Sequence, residues 1–146
     1  MKIVRNQELV DFNTFGIACQ SEYFVQIKSV NDLMDLSKQG IYKNQNKLIL
    51  GGGSNILFTS NFQGLIIKNN ITGVEITKET SDFVEVKIGA GVNWHEFVIY
   101  CVDKGWGGVE NLSLIPGNCG TAPMQNIGAY GVEIKDTFIN LEAFKI

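Results

Sequence analysis

Residues 47–57 read Lys-Leu-Ile-Leu-Gly-Gly-Gly-Ser-Asn-Ile-Leu, a short apolar segment followed at once by a run of small residues. We expect a strand at Lys47–Leu50 and a turn made of Gly51, Gly52, Gly53, Ser54 and Asn55. Because glycine carries no Cβ atom, the main-chain N–H groups of such a turn can approach a bound group closely, and an anion suits them. Taken alone, the same residues fit an ordinary tight turn equally well.

The residues before this turn predict a strand followed by a helix. Residues 23–28 have a strand pattern, and Ser29 has the properties of a helix N-cap, with Asp32 three residues later. Gly40 is expected to end this helix. Together with the strand at Lys47–Leu50, these elements give a βαβ-like opening whose second strand leads into the glycine turn.

Strands and helices continue to alternate after the turn. Further strands are predicted at residues 65–68, 74–78 and 83–88, and a last one at 137–146. A helix is expected after Asn93, which forms a capping pair with Glu96, and Lys104 and Gly105 end it. Its buried face is expected to consist of Trp94, Phe97, Val98 and Cys101. A chain of 146 residues with this alternation suits one domain of the α/β or α+β class.

Residues 106–131 have a different composition, with six glycines, both prolines of the chain and a single charged residue. A surface loop of this length without a function is uncommon. Within it, residues 117–122 read as a turn that leads into a helix, with Pro123 near the first helical position. A helix start carries N–H groups without partners and a partial positive charge, worth roughly 0.3–1 kcal/mol to an exposed anion. Because no Lys or Arg lies between Lys104 and Lys135, amides and hydroxyls would hold an anion here.

The end of this segment suits a planar ring. Gln125 and Asn126 can donate and accept hydrogen bonds along the edge of a heterocycle, while Ala129 and its neighbouring glycines let a ring lie against the main chain. The sequence therefore predicts an amide-lined site for a large, anionic and partly aromatic ligand. The residues themselves do not give the type of reaction.

The sequence disfavours several other classes of function and partner. The formal net charge of −3 offers nucleic acid no basic surface. The apolar stretches are too short to cross a bilayer and the N-terminus lacks the apolar core of a signal peptide, so we expect a cytoplasmic protein with no membrane partner. Three cysteines without CxxC spacing indicate neither a disulfide framework nor a metal site. His95, the only histidine, is more typical of a boundary position on its helix than of a catalytic group.

Five motifs occur in order at compatible spacing. They are residues 13–17 (NTFGI), 50–57 (LGGGSNIL), 89–94 (GAGVNW), 110–117 (ENLSLIPG) and 120–131 (GTAPMQNIGAYG). Together they resemble the UDP-N-acetylenolpyruvoylglucosamine reductases, which catalyse the second committed step of peptidoglycan precursor synthesis. The similarity extends over nearly the whole chain.

The resemblance implies a fold and an activity. The fold is the α+β FAD-binding domain of the vanillyl-alcohol-oxidase (PCMH) type, composed of two small α/β subdomains at about residues 1–70 and 71–146. The second subdomain is expected to be truncated and the substrate-binding C-terminal domain to be absent. The activity is reduction of UDP-N-acetylglucosamine enolpyruvate to UDP-N-acetylmuramate by a flavoprotein that holds FAD non-covalently and takes hydride from NADPH. Cell wall biogenesis, cell shape and cell division depend on this step. The partner is the UDP-sugar substrate, and a monomer is the default expectation.

The resemblance also assigns residues to the cofactor and the substrate. Those implied to contact FAD are Gly51, Gly52, Gly53, Ser54, Asn55, Ile115, Pro116, Gly117, Gly120, Thr121, Ala122, Gln125, Asn126, Ile127, Gly128, Ala129 and Tyr130. Asn55, Gln125 and Tyr130 are also expected to face the substrate. The family's Tyr-Arg pair, proton-donating serine and catalytic glutamate fall beyond Ile146. No catalytic residue is therefore predicted within the chain, and we expect the chain alone not to turn over substrate.

Two other functions remain open at this point. Another FAD-dependent oxidase or dehydrogenase of the same fold would in many cases tether its flavin to a histidine or cysteine, and acid precipitation would then leave flavin in the protein pellet. A glycine-rich binding module without a cofactor would be colourless and would show no thermal shift with FAD.

Overall fold

Four strands form the main sheet of the computed structural model, which describes residues 1–145. Their bounds are β1 Ile3–Glu8, β2 Gln20–Ile27, β3 Lys47–Leu50 and β4 Phe62–Asn69, in the order β1-β2-β4-β3 across the sheet. β1 runs antiparallel to β2, whereas β2 and β3 both run parallel to β4. β4 is therefore paired on both edges, and its Leu65, Ile66 and Ile67 are fully buried, as expected for a central strand with an uninterrupted apolar run.

Two helices connect β2 to β3. They are α1 (Val30–Ser37) and α2 (Gly40–Asn44). The predicted cap of α1 is confirmed, because Ser29 Oγ accepts a hydrogen bond from the Asp32 N–H at 3.1 Å. β2 and β3 are parallel strands separated by β4, so the predicted βαβ-like opening is present with a strand inserted between its two strands.

The predicted end of the first helix at Gly40 is wrong. α1 already ends at Ser37, and Gly40 is the first residue of α2. Lys38 keeps a right-handed conformation, and the Gln39 N–H donates to the Leu36 carbonyl at 3.0 Å. The last turn of α1 therefore closes without a glycine in the left-handed conformation.

The second half of the chain combines short strands and short helices. Its strands are β5 Val74–Glu79, β6 Val84–Ile88, β7 Gly128–Ala129 and β8 Val132–Glu133, and its helices are α3 Trp94–Asp103 and α4 Ala122–Gln125. β5 pairs antiparallel with β6, and β7 pairs antiparallel with β8. The strands predicted at 74–78 and 83–88 are thus confirmed to within one residue.

The helix α3 forms as its sequence predicts. Asn93 Oδ1 accepts a hydrogen bond from the Glu96 N–H at 3.1 Å, and Gly105 follows the helix in a left-handed conformation with φ +74°. The side chains of its inner face are buried, and these are Trp94, Phe97, Val98 and Cys101. This face is the centre of the apolar core in this half of the chain.

Buried apolar side chains form three clusters. Two lie on opposite faces of the main sheet, because alternate residues of a strand point to opposite faces. Phe24 and Ile66 belong to one of these clusters, whereas Val25 and Ile67 belong to the other. The third cluster lies in residues 74–134 and packs around α3. Separate cores of this kind are compatible with a subdomain boundary at about residue 70, which stays a prediction.

The strand predicted at residues 137–146 is wrong over the residues that can be judged. Residues 137–145 have no regular secondary structure, and Ile146 lies outside the described residues. An ion pair between Lys87 Nζ and Glu142 Oε1 at 2.8 Å connects this segment to β6. The alternating pattern is insufficient here because, within residues 1–145, no neighbouring strand pairs with the main-chain groups of 137–145.

Candidate functional site

The turn at Gly51–Asn55 directs two of its carbonyl groups toward the protein. The Gly51 carbonyl accepts a hydrogen bond from Lys68 Nζ. The Gly53 carbonyl accepts from the Thr14 N–H at 3.1 Å and from Thr14 Oγ1 at 3.4 Å. In a trans peptide the C=O of one residue and the N–H of the next point in opposite directions. The N–H groups of Gly52 and Ser54 therefore point away from these contacts.

The N–H groups of this turn have no acceptors among the residues that the structure describes. Within residues 1–145, none of the five N–H groups from Gly51 to Asn55 donates a hydrogen bond to a protein group. Gly52 and Asn55 are also exposed. N–H groups without a protein partner are met by water or by a ligand, and successive outward N–H groups form a concavity that binds anions.

The loop of residues 9–17 packs against the turn at Gly53. Asn13 is buried, its Nδ2 donates to the carbonyls of Leu9 at 2.7 Å and Ile17 at 3.1 Å, and its Oδ1 accepts from the Ile17 N–H at 3.0 Å. Gly53 (φ +73°) packs against this loop so closely that a Cβ atom there would lie 2.1 Å from the Phe12 carbonyl oxygen. In the sequence, residues 13–17 are identified only as a motif. Their contact with the turn was not predicted.

The two glycine segments predicted to act together lie in direct contact. A Cβ atom on Gly51 would lie 2.7 Å from Thr121 Cγ2, and one on Gly52 would lie 2.9 Å from Asn118 Oδ1. A Cβ atom on Gly117 would lie 3.4 Å from Ser54 Oγ. Glycine at these positions therefore allows the segment of residues 117–121 to pack against the turn.

The prediction that the helix start at residues 117–122 carries unpaired N–H groups is largely wrong. The N–H groups of Cys119, Gly120 and Thr121 donate to the carbonyls of Val92 at 2.8 Å, Ala90 at 3.0 Å and Asn118 at 2.9 Å. The glycine turn at residues 89–93 packs against this segment and accepts from two of the three donors, while the third, the Thr121 N–H, is paired within the segment. α4 is also only four residues long, so it supplies little dipole.

Gly117 differs from the residues that follow it. It is a buried residue, and within the described part of the chain its N–H has no protein acceptor. Most main-chain N–H groups of buried residues have a partner, so this one is a candidate donor to a ligand or a water molecule. Gly117 lies beside Gly52 and Ser54, because an added Cβ atom on Gly52 would lie 3.3 Å from Gly117 Cα and one on Gly117 would lie 3.4 Å from Ser54 Oγ. The two segments are therefore close enough for one bound group to contact both.

Other residues assigned to FAD differ in their burial and backbone conformation. Ala122 and Ile127 are part of the apolar core around α3, so only their main-chain atoms could contact a ligand. Asn126 ends α4 in a left-handed conformation with φ +45°, and Tyr130 (φ +52°) and Gly131 (φ +81°) form the two-residue connection between β7 and β8. Ile115 packs against the core around α3 and Pro116 is exposed. All of these assignments stay predictions.

The three residues expected to face the substrate are exposed or half-buried, and their side chains do not bond to one another in residues 1–145. Tyr130 is 89% exposed, Asn55 is exposed and Gln125 is half-buried. No hydrogen bond joins any two of their side chains within residues 1–145. Their role as substrate contacts stays a prediction.

Lys68 is a residue of this site that the sequence reasoning missed. It is half-buried at the end of β4, and burial lowers the pKa of its ammonium group below the usual lysine value. The signal in the sequence was a single lysine directly after the apolar run of residues 65–67. That signal does not specify the contact, because the pairing of β3 with β4 is what places the Lys68 side chain beside Gly51.

His95 contacts the chain at Ser113 and Leu114. It is half-buried, as expected for a boundary position. Its Nδ1 lies 3.0 Å from Ser113 Oγ and accepts a hydrogen bond from the Leu114 N–H at 3.3 Å. Leu114 has a left-handed conformation (φ +63°), so His95 helps to hold the chain in a conformation that is unusual for leucine.

The cysteines and acidic residues show no metal or disulfide chemistry in the described residues. All three cysteines are free thiols. Burial raises the pKa of Cys101 to about 11 and that of Cys119 to about 12. Within residues 1–145, no group of three or more His, Cys, Asp and Glu side chains could hold a metal ion. No helix in the same range is both long and apolar enough to cross a membrane.

A family model described as "FAD binding domain" matches residues 21–145, a range that includes the turn, Lys68 and the segment from Gly117 to Tyr130. The chain belongs to the FAD-binding domain family. The predicted class, an α+β FAD-binding fold, is confirmed by this match together with the mixture of helices and strands in the structure.

Curated relatives confirm the predicted resemblance over the whole length of this chain. The UDP-N-acetylenolpyruvoylglucosamine reductase of Flavobacterium johnsoniae is 49% identical over 146 residues, which are 100% of this chain and 43% of that protein. The reductase of the same name from Amoebophilus asiaticus is 47% identical, again over 100% of this chain and 43% of the relative. The chain therefore spans less than half the length of these relatives.

A solved structure shares the fold. The crystal structure of UDP-N-acetylenolpyruvylglucosamine reductase (MurB) from Thermus caldophilus superposes with a TM-score of 0.65 at 20% identity, covering 92% of this chain and 45% of that one. At this level of identity the likeness bears on the fold alone.

Proposed function

We propose that this chain is the FAD-binding part of a UDP-N-acetylenolpyruvoylglucosamine reductase. The observation that carries the proposal is the turn at Gly51–Asn55, whose five N–H groups have no acceptors among the described residues. Relatives that are 49% and 47% identical over the whole chain bear this enzyme's name. The proposal thus combines a physical site for an anionic cofactor with a close family resemblance.

The residues present fit the cofactor. The diphosphate of FAD would accept hydrogen bonds from the outward N–H groups of Gly52 and Ser54 and from the N–H of Gly117. The flavin ring would extend along the segment from Gln125 to Tyr130, as the sequence predicts. The contact between the two glycine segments makes it possible for one ligand to reach both.

Bound FAD would supply the hydride transfer from NADPH to the enolpyruvyl group of UDP-N-acetylglucosamine enolpyruvate, which gives UDP-N-acetylmuramate in peptidoglycan precursor synthesis. The role of this chain's own residues is to bind and orient the cofactor. The turn and Gly117 hold the diphosphate, and Asn55, Gln125 and Tyr130 are the residues proposed to face the UDP-sugar. We assign no proton donor to residues 1–145.

Titration with FAD tests the cofactor assignment. The chain is expected to quench flavin fluorescence with a stoichiometry of one FAD per chain, and its unfolding temperature is expected to rise because the ligand binds only the folded state. After acid precipitation the flavin should remain in the supernatant, since the proposed contacts are all non-covalent. A coloured pellet would indicate a tethered flavin, and a chain without any response to FAD would be a binding module of another kind.

A hybrid enzyme tests the reaction. The chain would replace the matching 43% of the Flavobacterium johnsoniae reductase, to which it is 49% identical. We expect the hybrid to oxidise NADPH only when UDP-N-acetylglucosamine enolpyruvate is added. A hybrid that retains FAD and reduces other acceptors, but not this UDP-sugar, would contradict the proposed substrate.

A further inference from the structure

We propose that Lys68 is a positioning residue for the diphosphate of FAD, because its ammonium group fixes the Gly51 carbonyl on the inner side of the turn and adds a positive charge behind the outward N–H groups. The inference rests on the proposed FAD site and adds to it a residue outside the glycine motifs. Its basis is the hydrogen bond from Lys68 Nζ to the Gly51 carbonyl.

The first argument concerns the orientation of one peptide group. The peptide between Gly51 and Gly52 is flanked by two glycines, which accept most backbone conformations, so nothing local prevents this peptide from rotating. If it rotated, its carbonyl oxygen would face the ligand and would repel a phosphate. The bond from Lys68 holds this carbonyl on the inner side and therefore keeps the Gly52 N–H on the outer side.

The second argument concerns charge. Lys68 is half-buried, and within residues 1–145 it forms no salt bridge with an acidic side chain. Burial lowers its pKa because water is removed from the charged form. Among the described residues this partly buried cation has no counter-ion, and it lies behind N–H groups that have no acceptor there. An anion bound to those N–H groups would balance its charge.

The third argument concerns the scarcity of other cations. The sequence contains no Lys or Arg between Lys47 and Lys68, nor between Lys104 and Lys135. Both glycine segments of the site therefore lack a basic residue of their own. Lys68 belongs to β4, and the pairing of β4 with β3 brings its side chain to the Gly51 carbonyl.

Lys47 offers a matched control. It is also half-buried, and its Nζ also donates to main-chain carbonyls, those of Tyr42 at 3.0 Å and Gln45 at 3.3 Å. It lies at the opposite end of β3, about 13 Å from the turn at the usual strand rise. Replacing Lys47 thus removes the same charge and similar contacts at a distance from the proposed diphosphate.

The test compares the affinity for FAD of the unsubstituted chain with those of K68M, K68R and K47M. We expect K68M to weaken FAD binding roughly tenfold, which corresponds to about 1.4 kcal/mol. K68R keeps the charge and a donor and is expected to restore affinity to within about threefold of the unsubstituted chain. K47M is expected to leave affinity unchanged, and the unfolding temperatures without ligand identify any general loss of stability.

The outcomes separate this inference from the proposed function. Equal affinities for the unsubstituted chain and K68M would overturn the role of Lys68, and so would equal losses in K68M and K47M or a failure of K68R to restore binding. If the unsubstituted chain binds no FAD, the proposed function fails, and Lys68 is tested with inorganic pyrophosphate through the Gly52 amide signal of the isotope-labelled chain. A shift of this signal that is lost in K68M and kept in K68R supports the inference; an equal shift in both, or no shift at all, overturns it.

Discussion

A methyl group added at Gly53 should separate local backbone strain from the packing of the turn. Gly53 has a φ of +73°, and an added Cβ atom would lie 2.1 Å from the Phe12 carbonyl oxygen and 3.0 Å from Asn13 Cα. These neighbours are main-chain atoms of the loop that supports the turn, so no flexible side chain can move aside. G53A therefore requires the loop and the turn to move apart.

The expected magnitude follows from two contributions. A non-glycine residue in the left-handed conformation costs roughly 1–2 kcal/mol, and overpacking in a closely packed site costs typically about 1–3 kcal/mol. G53A should therefore lower the free energy of unfolding by roughly 2–5 kcal/mol, out of the ~5–15 kcal/mol of a typical domain. Gly16 provides the control, because its φ is +63° and no atom lies within 4 Å of an added Cβ. G16A should show the conformational cost alone.

Urea unfolding followed by circular dichroism measures both variants on the same scale. The difference between G53A and G16A isolates the packing contribution, which we expect to be about 1–3 kcal/mol. FAD affinity should also fall in G53A, because the Ser54 N–H follows the displaced Gly53 carbonyl, and should be retained in G16A. Equal midpoints for G53A and G16A, with equal FAD affinity, would refute the view that the turn is held against residues 12–13.

Three further predictions follow from other contacts. N13A should lower the free energy of unfolding by about 1–3 kcal/mol, since it removes the partners of the N–H and the carbonyl of half-buried Ile17; an unchanged urea midpoint would contradict this. Cys101 and Cys119 should react slowly with a thiol reagent at neutral pH in the native chain and rapidly after unfolding, and rapid labelling of the native chain would contradict this. Because burial raises their pKa values to about 11 and about 12, the free energy of unfolding should fall as the pH rises above the ordinary thiol value of 9.0. A free energy of unfolding that rises over this pH range would contradict the assignment. H95A removes the acceptor of the Leu114 N–H, so hydrogen exchange at this amide should accelerate while that of the main sheet stays the same; unchanged exchange at Leu114 would show that His95 does not hold it.

The sequence predicted well those features that depend on neighbouring residues. The N-caps at Ser29 and Asn93 need only a side chain and an N–H three residues later, and both were correct. The turn after Lys47–Leu50 was likewise evident from its own glycines. The family resemblance then supplied the fold and the cofactor, which local pattern alone did not give.

Features that depend on distant residues were not predictable in the same way. The N–H groups of Cys119 and Gly120 looked available in the sequence, but carbonyls of residues 90–92 accept their hydrogen bonds. In the sequence, Lys68 is indistinguishable from other strand residues. Its contact with the Gly51 carbonyl depends on the pairing of β3 with β4. In both cases the deciding contact joins segments that are far apart in the chain.

Hydrogen exchange at individual amides, with and without FAD, tests the central claim most directly. Without FAD, the amides of Gly52 and Ser54 should exchange rapidly because they have no acceptor in residues 1–145, whereas those of Cys119 and Gly120 should be protected by their carbonyl partners. With FAD, exchange at Gly52 and Ser54 should slow markedly, and exchange at Cys119 and Gly120 should change little. Bound FAD that leaves Gly52 and Ser54 exchanging as rapidly as before would contradict the assignment of the diphosphate to this turn.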